Sequence, residues 1–396
     1  MILEFGIGNR IETVDIPESH DVTVLLPNAV EHDETGDACV RRALDNPIGS
    51  PKLRDIVEPW KKIVIVTSDI TRPMPSYKVM PAIMDELDAA GVEDSDVSIV
   101  IARGSHRQHT EAEHRRLVGD PAYDRYGCQD TDDEDLVNFG YTANGTPVNI
   151  TRAVAEADYR IALGNIEYHY FAGYSGGAKA IMPGSSTREA IQVNHKLMVE
   201  PDAHAGKLEG NPVRMDLEEA TAMVGVDFIL NVVLDEHKEI VGAFAGDWIE
   251  AHRVGCRFLD RMYQKPIDKP ADIVITSQGG APKDLNLYQT QKAIDNAKHA
   301  VREGGVIVVA GSCAEGLGAP VFEEWIRDAE KPQDLVERVR RNFQLGGHKA
   351  AAIALVLEKA DIYLVSDMDD DTVREAFLQP YRSVEDAFTA AVAKMG

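Results

Sequence analysis

The chain has four cysteines, Cys39, Cys128, Cys256 and Cys313, with no CxxC spacing among them. Neither a thiolate zinc site nor a disulfide framework is indicated, and a reduced, cytoplasmic protein is the expectation. No window reaches transmembrane length, and the N-terminal MILEFGIGNRIETVDIP lacks the basic-then-apolar order of a signal peptide. Positive charge is scarce: 41 lysines and arginines face 66 acidic residues, for a formal net charge of −25. Nucleic acid and anionic membrane both want a basic face, so neither is expected as a partner. A local cationic pocket for a small anionic substrate remains compatible with this balance, and salt adaptation of the host is another source of the acidity. The nucleotide P-loop is also missing, because Ala180 follows Lys179 in GYSGGAK where Ser or Thr would be needed. The acidic run QDTDDED, residues 129–135, lacks EF-hand spacing and reads as a solvated loop.

What is present is a chain of 396 residues, too long for one ordinary core. Residues 2–26 alternate as two strands of a hairpin, and residues 37–44 form a helix broken by NPIGSP. KKIVIVTSD (61–69) is a β-branched run buried on both faces, followed by a helix over 77–90. A second such run, DVSIVIARGSHR, ends at Arg107, with a helix over 110–118 beyond it. Further strands follow near 159–163 and in VDFILNVVLD and KEIVGAFAGD, then a helix over 248–262. QKPIDKP (264–270) is the linker candidate, after which strand and helix alternate again, with a helix expected over 288–302. The fold class is α/β: two α/β domains with mostly parallel sheets, residues 1–264 and 271–396, the active site expected in the cleft between them.

Ligands of such sheets sit beyond the carboxyl ends of strands. There the chain places Asp69 and Arg72 after one strand and His106 after the next. Arg72 could grip a carboxylate in bidentate fashion, or simply pair with Asp69 in its loop. His106 titrates near neutrality and suits proton transfer, and it gains weight because a second histidine, His169, also follows a strand. The stretch from Glu167 to Lys196 holds His169, Lys179 and His195 among Gly173, Gly176, Gly177 and Gly184, which permit sharp turns and close approach to a ligand. A lysine so framed can be a covalent attachment point or a phosphate partner. His195 could ligate a borderline metal, but with no cysteine nearby the other ligands would have to come from elsewhere, such as an organic cofactor. Further on, Asn286 is a plausible cap for a helix carrying Tyr288, Gln289 and Lys292. Gln289 and Lys292 share a face near the positive end of the helix dipole, which suits a substrate carboxylate; a plain solvated face is the alternative.

The ordered set SDITRP (68–73), GSHR (104–107), EYHYFAGYSGGAK (167–179), NH (194–195) and YQTQK (288–292) resembles the nickel-dependent lactate racemase family, and the resemblance covers nearly the whole chain. It implies a racemase or epimerase that inverts C2 of a 2-hydroxy acid. It implies nickel held in pyridinium-3,5-bisthiocarboxylic acid mononucleotide, the nickel-pincer nucleotide, tethered to Lys179, with His195 as the protein's nickel ligand and Asp69, Gly176 and Gly177 supporting the cofactor. His106 and His169 would be the paired acid–base groups while hydride leaves C2 for the cofactor and returns to the other face. Arg72, Tyr288, Gln289 and Lys292 would hold the substrate, and cofactor-synthesis enzymes would be partners. His348 stands where the family's lactate racemases place a tryptophan, which implies a larger or more polar 2-hydroxy acid than lactate, unless His348 is only a helix-start residue. A non-catalytic binding or storage protein for the pincer nucleotide is the alternative.

Overall fold

The computed structural model describes residues 1–31 and 34–396, and they divide into two compact units. One unit comprises Leu26–Gln264. Its sheet has six strands, in the order Ile240–Gly246, Phe228–Leu234, Tyr159–Asn165, Ile63–Ser68, Val97–Ala102 and Cys128–Asp130. Every neighbouring pair is parallel except the first, which is antiparallel. The two β-branched runs thus lie side by side in the middle, where Val64, Ile65, Val66, Ile99, Val100 and Ile101 are fully buried. Each such side chain contributes about 1.5–3 kcal/mol by leaving water. Their carboxyl ends deliver Asp69 and the 103–106 loop to the same edge of the sheet.

The other unit joins Met1–Leu25 to Lys265–Gly396. Its four-stranded sheet, Ala271–Ser277, Val301–Ala310, Asp361–Val365 and Gln379–Tyr381, is parallel throughout. The N-terminal hairpin is real, but its strands are Ile2–Ile7 and Arg10–Asp15 and do not extend to residue 26. It also departs from the expected division, which assigned residues 1–264 to one domain. Ile7, Val14 and Ile16 are buried with Val306, Val308, Val384 and Phe388, so the apolar side of the hairpin completes the C-terminal core. Two other local readings change. The helix expected over 288–302 is Leu287–Ala297, because Val301 already opens the next strand. The acidic run is not wholly solvated: Asp130 ends the edge strand and is partly buried between two histidines. No helix among the described residues is long and apolar enough to cross a membrane.

The loop through residues 173–184 is packed so closely that its glycines are required by the protein itself. Gly173 has φ +78°, and a Cβ there would lie 2.0 Å from Lys207 O. Gly173→Ala should therefore lower unfolding stability by roughly 2–5 kcal/mol, since backbone strain and overpacking add; a denaturation midpoint within error of the parent would refute this packing.

Candidate active site

Asp69 follows the strand Ile63–Ser68, and a turn closes behind it through Arg72 N–H to Asp69 O at 3.1 Å. Its carboxylate accepts from Thr71 Oγ1 at 2.9 and 3.0 Å and lies 2.6 Å from His106 Nδ1. Burial alone would raise the Asp69 carboxyl, but the hydrogen bond and charge of His106, the Thr71 hydroxyl and the Arg72 charge hold it below the usual value. An ionised carboxylate only accepts, so His106 carries its proton on Nδ1 and its lone pair on Nε2. The exposed Arg72 donates from Nη1 to Thr71 Oγ1 at 2.9 Å, so it is tied to Asp69 through that hydroxyl.

His169 sits on the two-residue strand Tyr168–His169, paired with Gly173–Tyr174. Here the imidazole is arranged the other way: its Nδ1 accepts Ala172 N–H at 3.2 Å, which puts the ring proton on Nε2. Burial, then the charges of Lys179, His195, Arg72 and Arg214, push its basicity well below the ordinary histidine value. The two histidines therefore present unlike nitrogens, one a lone pair and the other an N–H.

Lys179 lies on the short 3-10 turn Gly177–Ala180. Burial first, then the Arg72 and Arg214 charges, push its amine well below the usual lysine value, and Glu167 offsets only part of this. A neutral amine is the nucleophilic form that covalent chemistry needs. Gly176 and Gly177, with φ of +73° and +57°, set up this turn. A Cβ on them would come within 2.7 Å of Asn231 Oδ1 and 2.8 Å of His252 Cγ, so their small size serves the loop's own packing. Asn231 Oδ1 accepts Gly177 N–H at 2.7 Å, and His252 Nε2 pairs with Ser175 O at 2.8 Å.

His195 ends the helix Arg188–His195, with its Nδ1 2.9 Å from Asn194 Oδ1. The Asn194 amide nitrogen donates to Val213 O at 3.1 Å and to Asp216 Oδ2 at 2.7 Å. Oδ1 is therefore the atom turned to the imidazole, His195 donates from Nδ1, and Nε2 keeps the lone pair a metal would take. Asp216 is fixed in turn by the Thr142 and Thr146 hydroxyls at 2.5 and 2.7 Å. Phe171 stands edge-on to both His169 and His195, with ring centroids 4.5 and 4.9 Å away. Arg214 is fully buried and donates to Ala172 O and Tyr174 O, tying the helix Pro212–Val224 to the loop that carries His169. The sequence alone gives no role to Thr71, Phe171, Asn194, Arg214, Asp216, Asn231 or His252; Thr71, Phe171 and Asn194 stand in its motifs only as neighbours of the residues given roles.

In the other unit, Asn286 does cap the helix Leu287–Ala297, its Oδ1 accepting Gln289 N–H at 3.0 Å. Tyr288 and Gln289 are half-buried and Lys292 exposed. His348 is buried at the start of the helix Gly347–Leu357, and its Nδ1 accepts Gly346 N–H at 3.0 Å, a helix-start contact. Burial pushes its basicity down to about 3. The adjacent Lys349 Nζ donates to Tyr288 O at 2.8 Å and lies 4.2 Å from the centre of the Tyr288 ring. Burial, then the Lys292 charge, lowers its amine to about 7.

These shifts have a consequence for stability. His169, His252 and His348 are all less basic when folded than the ordinary value of 6.5. Between the two midpoints the unfolded chain binds more protons, so stability rises with pH through that window and is lost as the pH falls below about 6.5. Asp69 adds a further loss only below its ordinary 3.8. The melting temperature should drop continuously from pH 7 to pH 5; a flat profile there would contradict the buried neutral imidazoles.

Residues 7–206 match the model of the lactate racemase N-terminal domain, and residues 267–396 match that of the lactate racemase C-terminal domain. The lactate racemase of Thermoanaerobacterium thermosaccharolyticum is 34% identical over 401 residues, covering 98% of this chain and 94% of that protein. The lactate racemase of Lactiplantibacillus plantarum is 34% identical over 371 residues, covering 90% and 86%. The solved structure of the lactate racemase apoprotein from Thermoanaerobacterium thermosaccharolyticum superposes with a TM-score of 0.88 at 34% identity, covering 100% of this chain and 95% of that one.

Proposed function

Because the chain belongs to the lactate racemase family, a family of isomerases, we propose that it inverts C2 of a 2-hydroxy acid by hydride transfer to a nickel-pincer nucleotide tethered to Lys179. The observation that carries this reading is the pair of unlike imidazoles, His106 with its lone pair on Nε2 and His169 with its proton there. Lys179 and His195 fit the cofactor by donor chemistry: an amine whose ammonium form is disfavoured by burial, and an Nε2 lone pair fixed from behind by Asn194 and Asp216. When bound, the group supplies a reversible hydride acceptor, which avoids a carbanion at a weakly acidic carbon.

The protein's own residues do the rest. His106 takes the hydroxyl proton, with Asp69 stabilising the imidazolium that results, as in any carboxylate-backed histidine. His169 donates a hydrogen bond to the same substrate oxygen from the other side. Inversion at one carbon asks for a group on each side of that oxygen, and the two imidazoles would supply them, His106 as the base and His169 as the N–H donor. Arg72 holds the substrate carboxylate, and we assign Tyr288, Gln289, Lys292 and His348 to the substrate as well. The reading of a substrate larger or more polar than lactate, such as a dicarboxylate or sugar acid, rests on His348 standing where lactate racemases have a tryptophan, although its Nδ1 is engaged in a helix-start contact. A storage role for the protein would need neither His106 nor His169.

The test is a panel of 2-hydroxy acids carrying deuterium at C2, offered to protein produced together with the cofactor-synthesis enzymes and read by chiral chromatography and mass. Hydride transfer returns the label to C2, so the inverted product should keep its deuterium in ordinary water. Exchange of the label with solvent would sink the mechanism. Absence of turnover by protein that carries the Lys179 adduct would favour storage.

A further inference from the structure

Behind the catalytic pair lies a second pairing of carboxylate and imidazole that the proposed reaction leaves unassigned. His109, three residues after His106, has a side chain only 1% exposed and places Nδ1 2.8 Å from Asp130 Oδ1. Asp130 is pinned at the end of the edge strand: its Oδ2 accepts His109 N–H at 2.6 Å, and its Oδ1 also meets His114 Nε2 at 3.0 Å. The other ring nitrogen of His109 points at the active-site turn. Ile70 N–H, which the Asp69–Arg72 turn leaves without a partner of its own, donates to His109 Nε2 at 3.4 Å.

We propose that His109 is a positioning residue: oriented by Asp130, it caps Ile70 N–H and so fixes the turn that aims Asp69 at His106. The inference rests on the reading of His106 as the base. The tautomers agree along the whole chain of contacts. Asp130 requires a proton on His109 Nδ1, which leaves the Nε2 lone pair that Ile70 N–H needs. Burial would raise the Asp130 carboxyl, but the His109 N–H and the two imidazoles hold it down, as an acceptor should be held.

The same three side chains could be read as a metal site, since their donor atoms lie within 4.8 Å of one another. A cation on His109 Nδ1 would drive the ring proton to Nε2, setting it against Ile70 N–H, donor against donor. The hydrogen-bonded arrangement is the one that satisfies every group.

Two substitutions separate the ring nitrogens. His109→Gln places Oε1 where Nε2 was and keeps a cap for Ile70, whereas His109→Asn keeps a partner for Asp130 and leaves Ile70 uncapped. In cofactor-loaded enzyme, His109→Asn should lower kcat about 10-fold with KM within about twofold, and His109→Gln should stay within about threefold of the parent. In the protein without cofactor, the His106 ring 15N signals, assigned by loss in His106→Gln, should show the Nδ1–H form in the parent and in His109→Gln but not in His109→Asn. Equal behaviour of the two variants would overturn the proposal. So would stoichiometric zinc uptake that His109→Asn abolishes while the His106 signals stay put. If the parent racemises nothing, the reading of function fails, and the ring signals still decide the role of His109.

Discussion

Lys179→Ala should abolish racemisation, by at least about 1,000-fold, while leaving the melting temperature near that of the parent. On the proposed mechanism the loss is large because the tethered cofactor would carry the hard chemical step, and without it the protein's residues would have only proton transfer and binding to offer. Stability should hold because the amine is an unfavourable guest in its site. Burial and the Arg72 and Arg214 charges already oppose its ammonium form, so alanine removes no stabilising ion pair. Two readouts make this decisive. The intact mass of the parent, produced with the cofactor-synthesis enzymes, should exceed the chain mass by one adduct mapped to Lys179, and the variant should show none. Lys179→Arg should fail as completely as alanine, because a guanidinium is not deprotonated in proteins and cannot be acylated in the amine's place. Racemisation retained in either variant would remove the tether, and with it the covalent reading of the 173–184 loop.

The parts of this arrangement that were legible in the sequence are those written in local pattern. Two β-branched runs ending in polar residues located Asp69 and His106 at strand ends, and Ile63–Ser68 and Val97–Ala102 are those strands. Asn286 followed by a helical pattern located a cap, and the cap is made. What the pattern could not carry is pairing across long separations. The Thr142 hydroxyl meets Asp216 from 74 residues away, and nothing near either residue announces it. Asp130 shares a run of acidic residues that suggests a solvated loop, yet its partners are His109 and His114, which lie in a different stretch. The hairpin at residues 2–15 has the right period for strands, but period does not say which core it will cover, and it covers the C-terminal one. The glycines of the 173–184 loop suggest sharp turns and close approach to a ligand; Gly173, Gly176 and Gly177 do make the turns, with positive φ. The neighbours that forbid a Cβ there, Lys207, Asn231 and His252, come from later in the chain and could not be seen by counting along it.

His106→Ala and His169→Ala should each cut racemisation by roughly 100- to 10,000-fold, the range expected when a positioned proton-transfer group is lost. Intuition suggests that each variant would spare one direction, since the two imidazoles face the substrate oxygen from different sides. Thermodynamics forbids this for a true racemase. Two enantiomers have equal free energies in water, so the equilibrium constant is one and kcat/KM must be equal in the two directions for every variant. The asymmetry must appear in kcat and KM separately. His106 is backed by the Asp69 carboxylate and can hold an imidazolium, so its loss should fall mainly on kcat for the enantiomer whose proton it removes. His169 is held in its neutral N–H form by burial, by the surrounding positive charge and by Ala172 N–H, so it would act more as a hydrogen-bond donor to the bound oxygen. Its loss should raise KM as well as lower kcat. Asp69→Asn tests the same logic without emptying the site. An asparagine amide can turn its N–H toward His106 Nδ1, which would strip Nε2 of its lone pair, and the cost should approach that of losing the imidazole. Progress curves from each enantiomer, followed by chiral chromatography to equilibrium, give all four constants. Should kcat/KM differ between directions, the substrate is a diastereomer and the enzyme an epimerase of a molecule with further stereocentres. If Asp69→Asn leaves kcat unchanged, the carboxylate does not set the His106 tautomer, and the assignment of His106 as the base falls with it.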